Sequence, residues 1–156
     1  MAHQRLVDTS IWIAFGRIRR LNTLLSMPDL AVSASVRREL IRGKDNLAEA
    51  VAHLVIDDVD EQQIDGGEVA LRIWMLHDGC GISLADAGQV IYASRTPGVI
   101  LYMRDRNAQR VGARVGADVR DHRALVDDMR TLRVLGDRAA ERLRDALDAE
   151  FERSRR

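Results

Sequence analysis

The sequence has one cysteine, one lysine and no long apolar run, and each of these scarcities excludes certain kinds of site or certain classes of protein. Cys80 has no partner for an internal disulfide, and four scattered histidines give no zinc-ligand spacing, so we expect Cys80 to be a small buried residue. No segment approaches the ~20 apolar residues of a membrane-spanning helix. The N-terminal MAHQRLVD lacks a basic patch followed by a long apolar block. These absences predict a cytoplasmic protein with no membrane partner.

The sequence also has no excess of charge of either sign, because 24 Lys and Arg residues balance 24 Asp and Glu residues. A chain of zero net charge has no global field to attract a polyanion, so any contact with a nucleic acid must come from a local patch. Lys44 is the only lysine, and arginine carries the remaining positive charge. Arginine favours phosphate recognition through its planar fork, although a GC-rich coding background explains the same bias.

Apolar segments alternate between strand-like and helix-like patterns along a chain of 156 residues, which is long enough for one domain with a proper core. Glycines 43, 79 and 116 stand where three of the predicted helices would stop. We predict strands at 5–8, 30–33, 55–59, 99–103 and 117–119, and helices at 11–18, 21–27, 33–42, 45–54, 66–79, 81–94, 106–116, 122–136 and 137–156.

Strands separated by helices imply parallel pairing, because parallel strands need long crossover connections. The sequence therefore predicts an α/β protein, a three-layer α/β/α sandwich with a central, mostly parallel sheet. The strand VILYM has almost no polar residue and suits a central position that is buried on both sides. We expect residues 1–136 to form the domain and residues 137–156 a charged helical extension, with an exposed, solvated helix favoured over a partner-binding element.

Four acidic residues are placed to meet at one edge of this sheet. Asp8 directly follows the first strand, and Asp105 follows VILYM after a single residue. Asp86 lies in the first turn of the helix that precedes VILYM, and Glu39 lies in the helix after the second strand. Ligands bind beyond the carboxyl ends of the strands in open parallel sheets. We therefore predict that the four carboxylates converge on one rim.

Each acid also has a local explanation. Asp8 could cap the helix that follows it, and Ser83 with Asp86 forms a fair capping-box pattern. Glu39 could pair with the arginine one turn later, and Asp105 could be an ordinary turn residue. Their predicted common location is what favours a shared role.

A cluster of carboxylates requires a counter-charge. Two carboxylates ~4 Å apart repel by about 4 kcal/mol at an effective dielectric of 20, so four of them must take up protons or cations. Oxygen-only ligands suit Mg²⁺ or Mn²⁺. One such ion, or a pair, can activate a water molecule and stabilise the oxygens of a phosphoryl displacement.

Several motifs in order along the chain resemble the PIN-domain nucleases, particularly the toxin ribonucleases of VapBC-type toxin–antitoxin pairs. The similarity covers residues 5–121. The motifs are LVDTSIW, SVRRELIR, GGEVALR, GISLADAGQVIYAS and VILYMRDRNAQRVGARVGADV.

The resemblance implies a metal-binding and catalytic set, with Thr9 or Ser10 assisting beside the first acid. It further implies Mg²⁺- or Mn²⁺-dependent endonucleolytic cleavage of single-stranded RNA, commonly by a homodimer, and inhibition by a cognate antitoxin. The implied set is Asp8, Glu39, Asp86 and Asp105.

For the RNA substrate, Arg104 and Arg106 flank Asp105 and are the predicted phosphate-binding residues. The alternative is that they are surface arginines in ordinary ion pairs. Trp12 and Trp74 could stack on bases, but their helical spacing with apolar neighbours favours the core or a dimer interface.

The chain departs from the family pattern at Met103, where the family often has a threonine or serine two positions before the fourth acid. This departure mildly favours an alternative function, a catalytically inactive PIN-fold module that binds RNA or protein. A phosphoacceptor signalling domain is disfavoured, because it needs a lysine after a late strand and Lys44 lies elsewhere.

Overall fold

The structure is a computed structural model that describes residues 4–43, 45, 47–54 and 68–155, so the predicted strand at 55–59 lies outside the described residues. In chain order the elements are β1 Gln4–Val7, α1 Thr9–Arg17, α2 Leu21–Leu25, β2 Leu30–Ala31, α3 Ala34–Arg42, α4 Ala48–Val51, a 3₁₀ turn Ala52–Leu54, α5 Glu68–Cys80, α6 Leu84–Arg95, β3 Val99–Tyr102, α7 Arg106–Arg114, β4 Asp118–Arg120, α8 His122–Thr131 and α9 Asp137–Ser154.

The described strands form one parallel sheet in the order β2-β1-β3-β4. Val7 pairs with Tyr102 at the carboxyl ends of β1 and β3, and the Asp8 amide donates to the Tyr102 carbonyl over 3.0 Å. The chain therefore leaves both central strands at the same edge, as the sequence predicts.

Helices cover both faces of the sheet, which confirms the three-layer sandwich. The side chains of β3 alternate between the two faces, as expected of a strand. Ile100 and Tyr102 belong to a core formed with α1–α4, α8 and α9. Val99 and Leu101 belong to a second core formed with α5, α6 and α7. VILY is buried on both sides, as predicted for a central strand.

A buried polar network fastens the strands to α8. Arg5 donates to the Tyr102 hydroxyl over 2.6 Å, and that hydroxyl donates to Asp128 over 2.6 Å. Arg120 of β4 donates to the same carboxylate over 2.9 Å. Burial, followed by the hydrogen bond to Asp128, raises the pKa of Tyr102. Because three strands and α8 share these contacts, the carboxyl edge of the sheet is held in one arrangement.

The prediction that the last helix is an exposed, solvated extension is wrong on one face. Leu143, Leu147 and Phe151 of α9 are buried in the core that α1 and α8 also line. Their spacing of four residues places them on one side of the helix, while most of the charged residues that dominate its composition occupy the other, although Glu150 is also buried. No helix in the described part of the chain is long and apolar enough to cross a membrane.

Two expectations about α5 are also wrong. The helix continues through Gly79 to Cys80, and Gly81 follows with a φ of +70°, a backbone conformation that glycine adopts without strain. Cys80, the last residue of this helix, is exposed rather than buried. The predicted stop at Gly116 agrees with the structure, where this residue has a φ of +84° just after α7.

Candidate metal centre

Asp8 occupies the junction between β1 and α1 and is almost completely buried, with 7% of its surface exposed. Its Oδ1 caps α1 by accepting from the Ile11 amide at 3.1 Å and also accepts from the Ser10 hydroxyl at 2.9 Å. Its Oδ2 accepts from the Arg104 amide at 3.4 Å. Asp8 is therefore both a helix cap and a carboxylate fixed at the carboxyl edge of the sheet.

Asp105 repeats this arrangement after β3. Its Oδ1 caps α7 by accepting from the Ala108 amide at 2.8 Å, while the residue remains exposed. The cap leaves the second carboxylate oxygen without a role in the helix.

Helices carry the other two acids to the same place. Ser83 caps α6 through the Asp86 amide, which holds Asp86 in the first turn. Glu39 extends from α3 and accepts a hydrogen bond from the Thr9 hydroxyl. Thr9 therefore links the first turn of α1 to the acid of α3, and Ser10 supports Asp8 directly.

One open cavity of about 610 Å³ contains all four acids in its lining. The predicted residues Thr9, Ser10, Arg104 and Arg106 line the same cavity. All eight residues that the sequence singles out thus meet in one place, although their roles in metal and substrate binding stay predictions. Four further lining residues were not predicted and are Ile13, Ser83, Gln89 and Arg155.

The carboxylates perturb one another. Burial raises the pKa of Asp8, and the charge of Glu39 raises it further against the hydrogen bonds that Asp8 accepts. Burial raises the pKa of Asp86 to about 7, with further contributions from the charges of Asp8, Asp105 and Glu39. Near neutral pH the cavity therefore favours uptake of a proton or a cation.

Gln89 provides an independent sign that the cavity suits a ligand. It lies one helical turn after Asp86, only 2% of its surface is exposed, and it lines the cavity. Its Oε1 accepts no hydrogen bond within the described residues. A buried amide oxygen without a partner is costly, and such atoms call for a specific explanation such as an ion or water. An oxygen donor beside carboxylates fits the ligand preference of Mg²⁺ or Mn²⁺.

The acids do not form a ready-made cage. Within the described part of the chain, no three His, Cys, Asp or Glu side chains are grouped closely enough to hold a metal ion on their own. Mg²⁺ usually keeps several waters and binds through one or two carboxylates, so an open, hydrated site is compatible with this spacing.

The remaining expectations have mixed outcomes. Trp12 is completely buried in the core, as expected, whereas Trp74 is 57% exposed, so that for Trp74 the dimer-interface alternative stays a prediction. Met103 is also completely buried and packs in the core beside α6 and α7. Its side chain is therefore a packing element, and Met103 does not line the cavity.

Gln89 and Arg155 are the two functional candidates among the four lining residues that the sequence analysis did not place at the cavity. A buried glutamine inside the apolar helix GQVIYA, one turn after Asp86, is a weak signal that could have pointed to Gln89. No local signal identifies Arg155, because only the packing of α9 brings it to the cavity. Comparisons of the chain with protein-family models, curated proteins and solved structures found no match.

Proposed function

We propose that this protein is a Mg²⁺- or Mn²⁺-dependent endoribonuclease that hydrolyses phosphodiester bonds of single-stranded RNA. The observation that carries the proposal is the meeting of Asp8, Glu39, Asp86 and Asp105, which come from four separate parts of the chain, in one cavity. Burial there, followed by the charges of the other three acids, raises the pKa of Asp86. The resemblance of the sequence motifs to PIN-domain nucleases supports the choice of reaction and substrate.

The residues of the cavity have distinct proposed roles. The four acids line the site of the divalent ion, which would bind one or two of the carboxylates directly and the others through its waters, and Gln89 would supply a further oxygen. Thr9 orients Glu39, and Ser10 orients Asp8, through the hydrogen bonds that they donate. A bound divalent ion supplies Lewis-acid activation of water and stabilisation of the charge that develops on the phosphate. The guanidinium groups of Arg104 and Arg106 bind the RNA backbone beside the acids.

The family resemblance also supports proposals about biological context. It favours a toxin of a type II toxin–antitoxin pair, which acts in the cytoplasm as a homodimer and is inhibited by a cognate antitoxin that inserts a segment into the cavity. The exposed Trp74 and Met75 on α5 offer apolar surface for such a protein contact.

The direct test is incubation of the full chain with a labelled single-stranded RNA, with Mn²⁺ or Mg²⁺ and with EDTA. We expect metal-dependent cleavage that Asp86→Asn reduces by about 100-fold or more. Asp137→Asn is the matched control, because Asp137 is also a first-turn acid but is 89% exposed on its side chain and does not line the cavity. Cleavage that survives both EDTA and Asp86→Asn would contradict the proposal, and RNA binding without cleavage would favour the inactive binding module.

A further inference from the structure

Arg104 connects the acidic cavity to the end of α9. Its main-chain amide donates to the Asp8 carboxylate at 3.4 Å. Its guanidinium donates to the Phe151 carbonyl at 3.1 Å and lies over the Phe151 ring, 4.4 Å from the centroid. Such stacking on an aromatic face is favourable and restricts where the charged group can lie. Arg104 is therefore fixed at the mouth of the cavity by a helix that lies beyond the family resemblance.

Phe151 is itself held by a contact with α8. Only 5% of its surface is exposed, and the His122 ring meets it edge-on with centroids 4.7 Å apart. His122 pairs with Asp148 of α9 over 2.6 Å. The Phe151 ring of α9 is thus held in place by its contact with α8. Because the ring is held, the Arg104 guanidinium that stacks on it has a fixed orientation.

Three arginines, Arg104, Arg106 and Arg155, line the cavity and are called the arginine rim below. Within the described residues, none of the three forms an ion pair with a carboxylate. In contrast, Arg120 and Arg123 pair with Asp118 and Asp148. The charges of the rim are therefore available to an anionic ligand.

The arginine rim continues into a second cleft. This neighbouring cleft of about 230 Å³ is lined by the same three arginines together with Gln109, His122, Arg123 and Phe151. Asp121, Asp148 and Glu152 also line it, but Asp148 is paired with His122 and Arg123, and the four arginines outnumber the three acids. A polyanion bound at the acidic cavity has to be attracted by nearby positive charge, because the four acids repel it. The rim stands between the two clefts and provides that charge for phosphates on one side of the acids.

We propose that α9 completes the RNA-binding surface, with the arginine rim binding the backbone phosphates next to the cleaved bond and the strand continuing into the second cleft. Phe151 acts as a positioning residue that orients Arg104. The inference rests on the proposed function and adds to it the path of the substrate. It also gives the last helix a role that its composition alone does not suggest.

The test measures binding of a single-stranded RNA oligonucleotide to the full chain by fluorescence anisotropy in EDTA, over a series of salt concentrations. Arg104→Gln and Arg155→Gln should each weaken binding by about fivefold at 0.1 M salt and reduce the salt slope by about 0.7, the value for one lost contact to a single strand. Arg138→Gln is the matched control, because it makes the same charge change at the other end of α9, about 25 Å from Arg155 along the helix axis.

The role of Phe151 needs a separate comparison. Phe151→Leu keeps an apolar side chain but removes the ring, and it should weaken binding by about two- to tenfold with the salt slope unchanged. Phe151→Tyr restores the ring and should restore the affinity. A purely structural role would lower the melting temperature of Phe151→Leu without changing its affinity for RNA, and this result would contradict the positioning role.

Failure of this inference differs from failure of the proposed function. Arg155→Gln that binds RNA as tightly as Arg138→Gln would overturn the inference, because Arg155 has no part in the proposed function and the unmutated chain would still cleave RNA with Mn²⁺. Absence of metal-dependent cleavage by the unmutated chain would instead overturn the proposed function.

Discussion

Removal of the Asp86 charge is expected to stabilise the metal-free protein above neutral pH. The pKa of Asp86 is raised from 3.8 to about 7 by burial and by the charges of the neighbouring acids. Folding therefore favours the protonated form of Asp86, so the folded state binds more protons than the unfolded state between these two values. Stability falls as the pH rises through this window, because the folded protein must then hold a charge that it disfavours.

The size of the effect follows from the same pKa. The interval between 3.8 and about 7 corresponds to about 4 kcal/mol, and solvent in the open cavity reduces this to about 1–2 kcal/mol. Replacement by asparagine also removes a favourable first-turn interaction with the helix dipole of about 0.3–1 kcal/mol. The net gain is about 1 kcal/mol, which for a domain of this size raises the melting temperature by about 2–4 °C.

The assay is thermal unfolding of the unmutated protein and of Asp86→Asn in EDTA at several pH values from 4 to 9. The gain should be absent near pH 4 and reach its full size at pH 8. Asp137→Asn provides the control, since it loses the same dipole interaction without relief of repulsion and should be slightly destabilised. A lower melting temperature for Asp86→Asn at pH 8 would refute the reasoning and leave the capping explanation of this acid. Mn²⁺ should then raise the melting temperature of the unmutated protein more than that of the variant.

Two further predictions test other parts of the site and the fold. Gln89→Leu removes a buried amide oxygen that has no hydrogen-bond partner within the described residues. It should therefore raise the melting temperature of the metal-free protein and lower the rate of Mn²⁺-dependent cleavage. A lower melting temperature with unchanged cleavage would show that the amide has only a packing role. Leu147→Ala should lower the free energy of unfolding by about 2–5 kcal/mol in denaturant titration, because Leu147 is completely buried. A change below about 0.5 kcal/mol would show that α9 is an exposed extension after all.

The location of two of the four acids could be predicted because one geometric rule governs them. Asp8 and Asp105 each stand where a parallel strand ends and a helix begins. A carboxylate at that point caps the helix and faces the edge where ligands bind, so the local explanation and the shared explanation describe the same side chain. Capping of both helices, seen in the structure, therefore does not argue against a common site.

The sequence analysis did not predict which face of α5 and which face of α9 packs against the rest of the molecule. In α5, Ile73 is buried while the adjacent Trp74 and Met75 are exposed, although all three are apolar. In α9, the high charge hides a narrow apolar face, and Arg155 reaches the cavity only through its packing. The spacing of Leu143, Leu147 and Phe151 is a signature of that apolar face within α9 itself. The exposure of Trp74 and Met75 and the position of Arg155 have no such signature, because they are decided by residues far away in the chain.

The packing of α9 against α1 has a consequence for truncation of the chain. The helix that Asp8 caps contacts α9 directly, and the two helices share one core. Removal of α9 would leave all four acids in the chain but would expose the apolar side chains of α1 that α9 covers. The truncated chain would therefore keep the acids while it lost part of the packing that holds α1, and Asp8 with it, in place.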